Sequence, residues 1–181
     1  MTVLHGFRTE RSRSRAERRR LEAIDRATAR LAQLALTAEA LTTASDVVAQ
    51  GWLQDTWFAW RDADGRESTA GSSAAHTVPL DAVTRACLVG ALVVGAGGTT
   101  SPVLRPAVEA TWRAIHGGGE QLRWQRSPEA AAMQVRELTA WNDRPGREAA
   151  EVTAVLATAA EAVESERASE RDGLVALTVT S

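Results

Sequence analysis

Cys87 is the only sulfur nucleophile in the 181-residue chain, and with His76 or Asp143 as proton partner it would support thiol-dependent catalysis. One cysteine makes no internal disulfide and builds neither a cysteine zinc finger nor an iron–sulfur cage. All 21 basic residues are arginine, and tyrosine is absent. That excludes a lysine Schiff base, a phosphate-loop lysine and a tyrosine acid or nucleophile. A reactive thiolate wants a helix N-terminus or a neighbouring cation. The pattern instead places Cys87 about two turns inside a helix opening at Pro79, among Ala86, Leu88 and Val89, where a buried structural thiol is expected.

Metal chemistry finds little support. His5, His76 and His116 are isolated, with no pair at i, i+4. A site would have to assemble from His116 with Glu109 or Glu120, whereas a histidine near a helix C-terminus serves to offset the dipole. Asp62 and Asp64 before Gly65 resemble part of a calcium loop, but the flanking ligand positions fall on Trp60 and Gly71. They read as turn residues. Residues 95–101 are glycine-rich, yet no Gly-Lys-Ser/Thr follows, so they read as a helix stop rather than a phosphate nest. The expectation is no metal and no cofactor.

Three groups of residues suit binding. Trp52, Trp57 and Trp60, half of the six tryptophans, offer a stacking platform or an interface if a ring faces solvent, and core otherwise. Asn142, Asp143 and Arg147 beside Trp141 offer a small polar pocket, or a helix–helix corner in which Asn142 takes the left-handed conformation and Asp143 caps the next helix through the Gly146 amide. Arg8 to Arg20 offer phosphate contacts. Residues 1–30 hold nine arginines against four acids, although no aromatics interleave and the whole chain carries a net charge of −2.

The elements that must position these groups follow from periodicity. Residues 1–13 read as a flexible Arg-rich arm. Leu21, Ile24, Thr28, Leu31, Leu34, Ala38 and Leu41 recur every three or four residues, predicting an amphipathic helix over 14–41 that Thr42 and Thr43 weaken. Asp64-Gly65 between an aromatic and a polar run predicts a β-hairpin. A helix from Pro79 to about Gly95 is apolar all round in its second half, and Gly90 within it implies a neighbour pressed against its backbone. Ser101-Pro102 opens a helix with Val108, Trp112 and Ile115 inward. Ser127-Pro128-Glu129 opens another with Ala132, Val135, Leu138 and Trp141 inward. A last helix runs over 147–171, where Glu161, Glu164, Glu166 and Glu170 oppose its dipole and favour fraying. Residues 172–181 form a tail, either β-prone or disordered.

Three strings together carry a family resemblance: Gly51-Trp52-Leu53-Gln54 with Arg61-Asp62-Ala63-Asp64-Gly65, then Ala86 to Leu92, then Trp141-Asn142-Asp143-Arg144-Pro145-Gly146-Arg147. In that order the chain, from roughly Ala38 to Val163, resembles a family of small uncharacterised bacterial and phage proteins common in actinobacteria, known only as a domain of unknown function. Asp55 and Trp57 stand where such proteins usually carry less bulk. The resemblance implies a shared fold and brings no activity.

The sequence therefore predicts a mainly α single domain over 14–171, a small helical bundle around a buried central helix with one short β-hairpin. No export signal is visible, and the apolar run from Ala86 to Gly98 is too short to span a bilayer, so a cytoplasmic protein without a membrane partner is expected. The expected function is a non-catalytic binding or accessory module with a protein partner or a second copy. The alternatives are an enzyme using Cys87 and a nucleic-acid-associated protein using the arginines.

Overall fold

The computed structural model describes residues 4–62, 64–117 and 127–179, and of residues 4–14 the backbone alone. The fold is mainly helical. Its elements are α1 (Leu4–Gln50), β1 (Phe58–Arg61), β2 (Glu67–Ala70), β3 (Val83–Ala86), α2 (Leu88–Ala96), α3 (Leu104–His116), α4 (Pro128–Asn142) and α5 (Ala149–Val179).

The first helix is one continuous element of 47 residues, with no break at Thr42. The hydroxyls of Thr37 and Thr42 bond back to the carbonyls of Gln33 and Ala38, so they do not compete with the helix. Burial of Ala40, Leu41, Ala44, Val47 and Val48 then carries the helix to Gln50. Residues 4–13, expected as an arm, are helical backbone; residues 1–3 lie outside the described residues. Thr28, expected inward, is exposed, and Ala27 is buried in its place.

The hairpin forms as expected. Asp62 Oδ1 accepts from the amides of Asp64 and Arg66, and Gly65 turns the chain at φ 76°. A third strand joins it, giving an antiparallel sheet of order β2-β1-β3. This corrects the helix expected from Pro79. That proline is extended (ψ 100°), a single 3-10 turn follows over Leu80–Ala82, and Val83 to Ala86 pair with the open edge of β1. Two β-branched residues, Val83 and Thr84, suit the strand, and periodicity alone does not separate a short apolar strand from a helix.

The short α2 buries Leu88 to Val93 completely. Gly90 is where a neighbour comes close: a Cβ there would lie 2.1 Å from the Trp57 carbonyl oxygen. A Cβ on Gly95 would lie equally close to the Ala40 oxygen of α1. Two glycines thus let α2 lie against both the sheet and α1.

In α3, Val108 is buried and Trp112 and Ile115 are half-buried. Ser127 caps α4, its hydroxyl accepting from the Ala130 amide at 3.2 Å. The buried face of α4 is Ala130, Gln134, Leu138 and Asn142, whereas Ala132 is exposed, so the inward face is rotated from the expected one. Glu148 opens α5, its amide donating to Glu151 three residues on.

From there α5 packs antiparallel to α1 through Val152, Leu156, Ala159 and Val163. Residues 172–179, expected as a β-prone or disordered tail, continue the helix to Val179. The cause is Arg20, whose guanidinium donates to the carbonyls of Leu177 and Thr178. A cation from α1 caps the helix end that lacks a basic residue of its own.

Candidate functional site

Asn142 ends α4 and is fully buried. Its Oδ1 accepts from Trp52 Nε1 (2.8 Å) and from the Leu88 amide (3.0 Å), one of the unpaired N–H groups opening α2. Its Nδ2 donates to the Leu53 carbonyl (3.0 Å) and to Asp143 Oδ1 (2.7 Å). A side-chain amide has two acceptor sites and two donors, and all four are used. One residue thus ties together α4, the start of α2 and the segment joining α1 to β1. The expected role for Asn142, a left-handed helix end, is corrected. It is the last helical residue, and Gly146 turns the chain at φ 80°.

The neighbours reinforce the same junction. Gln54 Nε2 donates to the carbonyls of Asn142 and Arg144. Asp143 Oδ1 accepts from the Asp55 amide at 3.1 Å, holding Asp55 at φ 64°. Asp143 was expected to cap α5 through Gly146; its carboxylate is spent on Asp55 and Asn142 instead. Arg147 lies 3.8 Å above the Trp141 ring, donates to the Trp141 carbonyl and pairs with Glu151. On the other side, Gly51 and Leu53 exchange backbone bonds with Ala86 at the end of β3. A Cβ on Gly51 would lie 2.3 Å from the Arg85 side chain. The strings Gly51 to Gln54 and Trp141 to Arg147 are therefore two halves of one latch. Sequence reading singled out both without seeing that they meet; a buried-capable Asn next to a helix-ending Trp was the available signal.

Cys87 sits at the N-cap of α2, which corrects the position expected for it. Its sulfur accepts from the Gly90 amide at 3.4 Å. A helix N-terminus ordinarily favours a thiolate. Burial outweighs that here and pushes the thiol up to about 12, against the lowering effect of the Gly90 and Val89 amides, with the Asp143 charge raising it further. His76 is exposed in the loop before β3, and among the described residues no hydrogen bond or ion pair joins it to Cys87. Among the described residues, no hydrogen bond joins Cys87 to either proton partner considered for it, His76 or Asp143.

Trp52, Trp57 and Trp60 are all half-buried and pack on the core. Trp57 stands edge-on to Phe58. Their partly exposed edges lie on and beside the hairpin. The arginines from Arg15 to Arg19 are exposed, while Arg20 is engaged with α5; the side chains of Arg8, Arg11 and Arg13 lie outside the described residues. His116 stacks on Trp112 and approaches Glu137, and Glu120 lies outside the described residues. Among the described residues no three metal-capable side chains cluster, and no helix is long and apolar enough to cross a membrane.

The latch, the glycine-packed α2 and the part of the α1/α5 pair that packs through Leu34, Leu41, Val152 and Leu156 all lie between Leu31 and Val163, and that is where a known family is found. The profile of "Family of unknown function (DUF6197)" matches residues 32–162. The chain belongs to this family. The DUF6197 match covers both halves of the latch and all of the sheet, and leaves outside it the basic start of α1 and the end of α5. No curated protein and no solved structure matches the chain.

Proposed function

We propose that this DUF6197 protein is a non-catalytic binding or accessory module whose contact surface includes the tryptophan hairpin. The observation that carries the reading is the complete internal use of Asn142. All four of its hydrogen bonds end within the chain. The most distinctive string of the sequence thus holds a shape rather than a substrate. What it holds is the segment from Gly51 to Asp55, which feeds directly into β1 and so sets the pose of the hairpin. The partly exposed Trp57 and Trp60 supply aromatic area, and β2, at one end of the three-stranded sheet, supplies a strand edge of the kind that protein partners use. Cross-linking mass spectrometry in the native host tests this. A protein cross-linked near β1 and β2 by the wild type, and lost with folded Trp57→Ala and Trp60→Ala variants, supports the module. Unchanged cross-links would reject the hairpin as the contact.

A nucleic-acid role draws on one specific observation. Arg15, Arg19, Arg26 and Arg30 recur along one side of α1 and are all exposed, Arg30 while paired with Glu166. Binding to random-sequence DNA that falls steeply with salt, and is lost in Arg15→Ala/Arg19→Ala, would favour this reading. The thiol enzyme has the buried Cys87 against it.

A further inference from the structure

We propose that the outer halves of α1 and α5 form an interface with a second copy of this chain, closing into an up-down four-helix bundle. The two helices run antiparallel, with Arg20 bonded to Leu177 and Thr178, and Arg30 paired with Glu166. Beyond the body of the protein this pairing is thin. Between residues 15 and 33 only Ala27 is buried, and from Glu164 to Val179 no residue is. Two helices alone rarely bury enough to hold themselves in water. Among the described residues, the exposed large apolar side chains are Leu21, Leu36, Val175, Leu177 and Val179, and every one lies on this pair.

Heptad spacing puts two of them, Leu21 and Val175, on one side. Ala35 and Glu39 of α1 and Ala160 and Glu164 of α5 line a shallow groove of about 390 Å³ between the two helices. Thr28 and Leu21 stand one and two heptads before Ala35, and Ala168 and Val175 stand 4 and 11 residues after Glu164. They therefore continue the groove side of the pair toward its tip, a second seam beside the one already packed. The bond from Arg20 to Leu177 sets Leu21 level with Val175 and Val179.

Charge identifies the occupant. Residues 15–30 of α1 carry six arginines against three acids, and residues 161–172 of α5 carry five acids against two arginines. A two-fold axis parallel to the helices lays α1 of one copy antiparallel on α5 of the other, basic on acidic, in the register used within the chain. Asp25 then comes level with Arg171 of the second copy. Each helix meets two antiparallel neighbours of opposite charge, the usual arrangement of such bundles. An unrelated partner would have to match both the charge and the heptad register; α5 of a second copy already does.

This surface is separate from the tryptophan hairpin, so the two readings fail independently. Sedimentation equilibrium of the full chain across a broad concentration range tests it. The expected result is twice the monomer mass of 19.3 kDa for the wild type and for Trp57→Ala. Leu21→Glu and Val175→Glu should each shift the chain to monomer with helical circular dichroism kept, because both side chains are exposed in the single chain. A wild type that stays monomeric at hundreds of micromolar overturns the proposal. So does a dimer that survives both substitutions, or one that a folded Trp57→Ala abolishes.

Discussion

Trp52 Nε1 donates to Asn142 Oδ1 at 2.8 Å, joining residues ninety positions apart. The same oxygen accepts from the Leu88 amide, so one carbonyl both fixes the indole and satisfies a helix start. Replacing Asn142 by Ala or Leu leaves that amide, the indole N–H and the Leu53 carbonyl without partners. Each unpaired buried group costs about 1–3 kcal/mol. Either substitution should lower the unfolding free energy by several kcal/mol, read from urea denaturation.

Asn142→Asp separates geometry from charge. The introduced carboxylate keeps both acceptors, loses both donors and faces Asp143 Oδ1, now 2.7 Å from Nδ2. Burial and the like charge raise the folded pKa of the introduced acid above its unfolded value of about 3.9. The native state of this variant is therefore favoured at low pH and loses stability as pH rises through that folded pKa. Its deficit against wild type should be larger at pH 7 than at pH 4.5, whereas the deficit of Asn142→Ala stays level.

How far the fold could be read ahead varies with the kind of signal. Local chemistry was legible: the Ser127 cap, the Asp62–Gly65 turn and the close approach at Gly90 are each written in one residue and its neighbours. Long helices were legible as helices but not in their ends, because the bonds from Arg20 that hold the end of α5 are tertiary and spacing does not reveal them. The strand β3 was hidden because its pairing with β1 is a tertiary fact laid over a stretch with no period of its own. The latch was half legible. Trp52 and Asn142 were both singled out, but a pairing across ninety residues leaves no local trace, and the role given to Asp143 followed from its sequence neighbours alone.

The glycines separate contact from propensity. Gly90→Ala must force a Cβ against a backbone oxygen in a part of the core with no flexible neighbour to yield, and Gly95→Ala does the same against α1. Both should destabilise the protein strongly, with Gly90→Ala the harder to fold. Gly173 lies inside α5 with nothing within 4 Å of its added Cβ. Gly173→Ala should instead stabilise by up to about 1 kcal/mol, the difference in helix propensity. Thermal melts of the three variants give the ranking.

Arg20→Ala removes the cap on α5 without touching the core. Amide hydrogen exchange over residues 174–179 should accelerate, while exchange over Val152 to Val163 stays slow. Equal protection at the C-terminal end in both proteins would show that the Arg20 cap is not what holds that end.

Alkaline titration isolates Cys87, because this chain contains neither lysine nor tyrosine. Burial holds its thiol neutral up to about 12 in the native state, from an ordinary value of 9.0. Unfolding releases the thiol to ionise at the lower value, so the unfolded state gives up its proton first. Stability is thus fully present below pH 9 and falls between pH 9 and 12, at up to about 1.4 kcal/mol per pH unit. Cys87→Ser keeps an acceptor for the Gly90 amide and removes the ionisation, so its stability should be flat over the same window. Native Cys87 should also react slowly with an aromatic disulfide at pH 7.5, at a rate that tracks global unfolding. Fast labelling of the folded protein, or a wild type with no alkaline loss relative to Cys87→Ser, would show that the sulfur is reached by solvent and would reopen the thiol reading.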